Sequence, residues 1–210
     1  MKTKQRSAHR LRPFEMILML VMAAFLLSGI WATRTQAALA DKVVRLHVLA
    51  NSDAEADQKL KLQVRDAVLQ EAEWLLEAAE DRTEAEAVLQ NALDTLETAA
   101  ATEIAARGYD YSVRVALEET TFPTREYEDF TLPAGKYLAL RVIIGAGEGQ
   151  NWWCVVFPPL CTAATSETSV AAMASGMTEE QVRLITEENT GYVLKFKSIE
   201  LWEALKEKLA

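Results

Sequence analysis

K-V-V-R-L-H-V-L-A-N-S-D-A-E-A-D-Q-K-L-K-L-Q-V-R-D-A-V-L, residues 42–69, changes its hydrophobic period partway along. The first nine residues are an apolar, β-branched run interrupted by Arg45 and His47, and they stop at the polar turn Asn51-Ser52-Asp53. Beyond the turn the period becomes helical. Leu60, Val64, Val68, Ala72, Leu75 and Ala79 recur every three to four residues as one apolar stripe. Ser52 and Glu55 have the S-x-x-E spacing of a capping box, which predicts the start of the helix. A strand therefore feeds a helix across three residues.

That helix is apolar on a second side. Leu62, Leu69 and Leu76 form a line about 160–200° around the axis from the first stripe, at roughly 100° per residue. Two apolar sides need two covers. One is the domain's own sheet, and the chain offers the other next. Thr83 and Glu86 give a second start signal, and Leu89, Leu93, Leu96, Ala100 and Ile104 make a stripe that stops at Gly108. The two helices read as a long αα-hairpin over about residues 54–107.

Past Gly108 the period falls to two. Tyr109, Tyr111, Val113, Val115 and Leu117 alternate with polar or small residues, as in a strand with one buried face. Residues 122–135 read as loop, 137–144 as a strand apolar on both sides except for Arg141, and 152–157 as another strand. A helix near 178–189, a strand at 192–197 and a helix at 198–210 complete the pattern. Helices and strands come in blocks, so the expected class is α+β: a mixed or antiparallel sheet packed against the long αα-hairpin.

The first forty residues set the compartment. Lys2, Lys4, Arg6, Arg10 and Arg12 precede an uncharged apolar run over 16–32, then small residues offering signal-peptidase-type sites at 35–37 and 38–40. The run is long for a cleaved leader and just long enough to span a bilayer. It predicts a signal peptide or a signal-anchor helix over residues 1–40, with membrane contact through 14–32 if it is retained. Both alternatives place residues 41–210, a single domain, outside the cytoplasm. No cysteine follows the run, so a lipid-anchored leader has no support.

The leader holds six Lys/Arg and one Glu, which leaves 16 basic and 30 acidic residues over 41–210. So acidic a body argues against nucleic acid as a partner, because such binding leans on phosphate neutralisation.

Several chemistries can be weighed directly. Gly145, Gly147 and Gly149 follow a strand, but a strand follows them too, so no helix N-terminus waits to receive a phosphate. A flexible connection is the better reading. His47 and two cysteines make a poor metal inventory, and no metal or cofactor is expected. Cys154 could act as a thiolate with His47 as its base, in an exported thiol hydrolase or redox protein. Its apolar strand raises a thiol pKa instead.

An exported chain with two cysteines more often pairs them. If the strand turns back over Pro158-Pro159, Cys154 and Cys161 face each other, and the small loop they close contributes about 2–3 kcal/mol at most. Disulfide, buried thiols and catalysis stay open in that order. Trp152 and Trp153 leave the strand on opposite faces. Trp153, Val155 and Phe157 should share one side, with Trp152, Cys154 and Val156 on the other.

Three stretches together resemble one family. They are R-L-H-V-L-A-N-S-D-A-E-A-D-Q-K-L-K-L-Q-V-R-D-A-V-L (45–69), L-P-A-G-K-Y-L-A-L-R-V-I-I-G-A-G-E-G-Q-N-W-W-C-V-V-F-P-P-L-C (132–161) and, more weakly, L-K-F-K-S-I-E-L-W-E (194–203). They are similar to stage II sporulation protein R of endospore-forming bacteria. The resemblance implies a secreted signal and no enzyme, made in the forespore and exported into the space between two membranes. Its implied partner is a membrane-embedded aspartic-type protease that matures the mother-cell sigma factor. The family offers no catalytic residues to carry over. Positions matching its motifs are Asn51, Ser52, Asp53, Asp57, Arg65, Asp66, Trp152 and Trp153, nominated for partner contact, with Cys154 and Cys161.

Overall fold

A computed structural model describes residues 12–161 and 167–186. The elements in chain order are α1 (Pro13–Ala40), β1 (Val44–Leu49), α2 (Glu55–Leu76), α3 (Arg82–Asn91), α4 (Leu93–Ala106), β2 (Val113–Phe122), β3 (Arg125–Glu126), β4 (Thr131–Leu132), β5 (Gly135–Ile144), β6 (Asn151–Phe157), α5 (Thr168–Ala174) and α6 (Glu179–Thr186). Four strands form one mixed sheet in the order β2-β5-β1-β6. The central pair β1 and β5 is parallel, and both outer strands run antiparallel to their neighbours. The α+β expectation holds. The strand and helix expected over 192–210 lie outside the described residues, as does the end of the helix expected over 178–189.

Strand alternation divides the core. Leu46 and Val48 of β1 point to one face, where Leu60, Val64, Val68 and Ala72 of α2 meet Leu89, Leu96, Ala100 and Ile104 of α3 and α4. The second arm of the hairpin covers Leu69 and Leu76, both buried, while Leu62 stays 39 % exposed at the solvated margin. On the other face Val43, Phe122, Tyr137, Ala139 and Val155 pack beneath Leu39 of α1, the β3–β4 ribbon, α5 and α6.

Four local expectations need correction. The second arm is two helices, broken at Ala92 (φ −105°, ψ 7°). Asn91 just before the break donates back to the Ala87 carbonyl at 2.9 Å, an alternative bond of the kind that disturbs helices. Its cap is also not Thr83, because Asp81 accepts from the Glu84 N–H at 2.9 Å and the Glu84 carboxylate accepts from the Glu80 N–H. At α2 the Ser52–Glu55 box does not form, since Ser52 reaches Asp57 instead. Finally, Phe157 does not share a face with Trp153 and Val155. The β1–β6 register shifts between Val44 and Arg45, so Val156 is an extra residue, and such a bulge turns the next side chain over.

Two smaller differences follow from local pairing. Tyr109 and Tyr111 precede β2 and are not part of it, and the loop over 122–135 contains the short β3–β4 ribbon.

The hairpin's burial pattern is testable by urea denaturation. Leu60→Ala and Leu96→Ala each remove a fully buried side chain and should lower the unfolding free energy by about 2–5 kcal/mol. Leu62→Ala should change it by less than about 1 kcal/mol.

Candidate functional site

The polar turn after β1 is tied to the glycine-rich loop after β5. Asp57, buried at the start of α2, accepts from Asn51 Nδ2 (2.9 Å), Ser52 Oγ (2.6 Å) and the Tyr111 hydroxyl (3.1 Å). The bonds from Ser52, then Asn51, hold its carboxyl below the usual range, against the opposing effect of burial. Asn51 Oδ1 accepts from the Ala146 N–H (3.0 Å) and Asp53 Oδ1 from the Gln150 N–H (2.8 Å). Buried Lys61 closes the knot on the Gln150 carbonyl at 2.9 Å.

Two glycines are explained by this packing. A Cβ on Gly145 (φ +56°) would lie 2.2 Å from Asn51 Oδ1, and one on Gly149 would lie 2.2 Å from the Ser52 carbonyl oxygen. The loop is held tightly, not flexibly as its composition suggested. Asn51, Ser52 and Asp57 thus have their side chains engaged within the chain, while Asp53 and Asp66 remain exposed.

Beside the knot, at the same end of the sheet, the two tryptophans of edge strand β6 are half-buried on opposite faces. The Arg65 guanidinium lies 4.6 Å from the Trp152 ring centre and pairs with Asp66 at 2.6 Å. On the other face Arg125 sits 3.8 Å over the Trp153 ring, which also stacks on His47 at 5.8 Å. Each indole carries a guanidinium on one face, an attraction worth roughly 0.5–2 kcal/mol. Arg125, Glu126, Tyr127, Gln150, Asn151 and both tryptophans line a hollow of about 520 Å³. A wider, more apolar groove of about 1000 Å³ runs between the end of α2, the Pro158–Pro159 corner and α5, and none of the eight nominated contact residues lines it.

Beneath the hollow lies a cationic row that sequence reading missed. Arg45 is fully buried, with its guanidinium 4.0 Å from the Phe122 ring centre and 5.0 Å from that of Tyr137. It donates to the Tyr127 hydroxyl at 2.8 Å, and Tyr127 in turn donates to the Trp153 carbonyl at 3.2 Å. His47 Nε2 lies 2.7 Å from Asn151 Oδ1, so with that oxygen as acceptor the ring carries its proton on Nε2. Arg141 pairs with Glu118. Burial first, with Arg141 and Arg45 adding to it, pushes the His47 pKa down against the opposing effects of Asn151 and Glu118. The signal was available: Arg45 and Arg141 are charges inside otherwise apolar strands.

Cys154 and Cys161 are joined in a disulfide with Cα atoms 6.2 Å apart. Cys154 points into the helix-covered core, whereas His47 lies on the opposite face of the sheet. The Cys154–His47 pair required by a thiol hydrolase is therefore not assembled. Among the described residues no group of three or more His, Cys, Asp or Glu gathers as metal ligands would.

His47 is the sole histidine of residues 41–210. A base whose folded pKa is depressed binds its proton more readily in the unfolded chain, so it stabilises the fold at neutral pH and that contribution fades as pH falls through about 6.5. His47→Gln should flatten the decline in stability between about pH 7 and 5, measured by denaturant titration at each pH. Asp57→Ala should cost about 1–3 kcal/mol at pH 7 by leaving Asn51 and Ser52 without their acceptor.

The family described as "Stage II sporulation protein R" matches residues 40–167, which span the knot, the cationic row, the hollow and the disulfide. A protein of that name from Bacillus subtilis (strain 168) is 39 % identical over 121 residues, or 58 % of this chain and 54 % of the relative. The match thus spans about half the relative's length. No solved structure matches. The chain belongs to the stage II sporulation protein R family.

Proposed function

We propose that this is an extracytoplasmic signalling protein of sporulation that acts by docking. In this reading it is made in the forespore, crosses or stays in the forespore membrane, and switches on a membrane-embedded aspartic-type protease that matures the mother-cell sigma factor. Family membership and the apolar N-terminal helix support the setting.

The observation that carries the docking mode is the pair of half-buried indoles, each stacked by an arginine, around a hollow at one end of the sheet. Trp, Tyr and Arg are the residue types that most often dominate interface energetics, and all three converge here. Arg65, Asp66, Trp152 and Trp153 are placed to touch a partner, with Asp53 at the margin. Asn51, Ser52 and Asp57 serve by shaping the knot. To activate a protease by docking alone, the face must bind the active form more tightly than the inactive one.

The test is reconstitution of the full chain with purified protease and sigma-factor precursor in lipid vesicles, reading precursor cleavage. Trp152→Ala and Trp153→Ala should each lower apparent affinity by roughly 30-fold, about 2 kcal/mol, while melting cooperatively. Wild-type cleavage by both folded variants would remove this face from the interface. Failure of the wild-type chain to trigger cleavage would end the signalling reading itself.

A further inference from the structure

The groove of about 1000 Å³ between the end of α2, the Pro158–Pro159 corner and α5 lies apart from the indole face. We propose that it is a second docking site, and that its occupant is an amphipathic helix of a partner protein with Lys or Arg beside the apolar stripe. The proposal does not rest on the signalling reading.

Apolar exposure singles out this surface. Outside α1, the large apolar side chains left exposed among the described residues are Leu62, Trp74, Val170 and Met173. Single exposed apolar residues are ordinary on a soluble surface, whereas a cluster marks a contact site. Trp74 is 70 % exposed and Val170 is 60 % exposed, and they line the groove from α2 and α5 respectively. Met173 stands one turn further along α5. Buried Leu76, Val156 and Phe157 line the groove too and connect it to the first core.

Charge selects the partner. Glu73, Glu77 and Glu167 stand along the groove, and none of the described residues lining it is Lys, Arg or His. Glu73 Oε1 is enclosed without a hydrogen-bond partner. A carboxylate oxygen taken from water without a donor is costly, and a Lys or Arg from a partner would supply donor and opposite charge together. The same three carboxylates disfavour an anionic lipid surface. They also disfavour a second copy, because a two-fold contact sets each patch against itself.

Backbone chemistry selects a helix. An extended segment needs free main-chain groups to join. Here Pro158 and Pro159 have no N–H to offer, and the Val155 N–H is held by Cys161 Sγ at 3.2 Å. The α2 wall presents Gln70, Glu73, Trp74 and Glu77 at i, i+3, i+4 and i+7, a ridge of the kind that interdigitates with another helix. Ala171 and Ala174 on the α5 wall leave room for the incoming backbone.

The test uses the protein as exported and purified from a secreting host. The probe is a fluorescein-labelled Leu/Lys helix of about 16 residues, with leucines at i, i+3, i+4 and i+7. Binding is followed by fluorescence anisotropy, beside a Leu/Glu helix of the same pattern. The Leu/Lys helix should bind with a dissociation constant of roughly 1–100 µM, and the Leu/Glu helix at least about tenfold more weakly. Trp74→Ala and Val170→Asp should each weaken the Leu/Lys helix by about tenfold or more, and Glu73→Gln with Glu77→Gln by roughly three- to tenfold. Glu119→Gln, on the opposite edge strand, controls for diffuse attraction to an acidic body and should change nothing. Both Trp74 and Val170 are exposed, so their variants should keep the wild-type melting curve, and where one does not the other decides. No binding overturns the proposal, whether another part of the chain fills the groove or neutral phospholipid vesicles bind there instead. So does wild-type affinity in the folded Trp74 and Val170 variants, equal binding of both helices, or a loss in Glu119→Gln equal to that in the Glu73 and Glu77 variant. A dimer in sedimentation that Val170→Asp dissolves overturns it in favour of a second copy.

Discussion

Arg45 is a full positive charge at the centre of a β-sheet with no carboxylate partner among the described residues, and the second face of the sheet is arranged around it. Taking such an ion out of water costs several kcal/mol unless something replaces the water. Here the replacement is aromatic. The guanidinium rests against the faces of Phe122 and Tyr137 and gives one hydrogen bond to the Tyr127 hydroxyl. Phe122 ends β2 and Tyr137 is the third residue of β5, so the charge favours a ring on each strand near that level. Tyr127 must come from outside the sheet, which draws the β3–β4 ribbon over it and carries Arg125 onto Trp153. The hollow's walls thus trace back to one buried cation.

The other end of the same strand supplies rigidity. β1 leaves the sheet at Leu49 and enters the Asn51–Asp57 knot, which grips the 145–150 loop through backbone groups on both sides. β6 begins directly after that loop. The position of Trp152 and Trp153 is therefore set within two or three residues of a fully bonded turn. A side chain held in place before binding loses less freedom when a partner arrives. The knot and the indoles act as one unit, although only the indoles present faces to the outside.

Much of this was legible in the sequence and some was not, for identifiable reasons. The hairpin was readable because Leu60, Val64, Val68, Leu89, Leu96 and Ile104 keep a helical period that burial enforces. The Ser52 cap does not form because its hydroxyl donates to the buried Asp57 carboxylate and accepts from the Ala54 N–H, not from the Glu55 N–H. The glycines look flexible by composition, yet Gly145 lies against the Asn51 side chain and Gly149 against the Ser52 backbone. Arg45 reads only as an interruption of an apolar strand, and His47 as a candidate base for Cys154. Their importance lies in Phe122, Tyr127, Tyr137 and Asn151, distant in sequence, and no local pattern announces such partners. The opposed Trp152 and Trp153 followed from the pleat alone, whereas the displaced face of Phe157 needed a bulge that only the register reveals.

The mode of recognition open to this face can be argued from its backbone. β6 is an edge strand, and an edge with free N–H and C=O groups invites an added strand. Two of its outward groups are already occupied: the Tyr127 hydroxyl holds the Trp153 carbonyl, and the Cys161 sulfur accepts from the Val155 N–H at 3.2 Å. An extended peptide joining here would have to displace the Tyr127 hydroxyl, which also accepts from buried Arg45. That coupling makes strand addition costly in a way that side-chain contact is not. The disulfide corner and the buried arginine thereby leave the rings of Trp152 and Trp153 and the guanidiniums stacked on them, and not the main chain, as what this face presents.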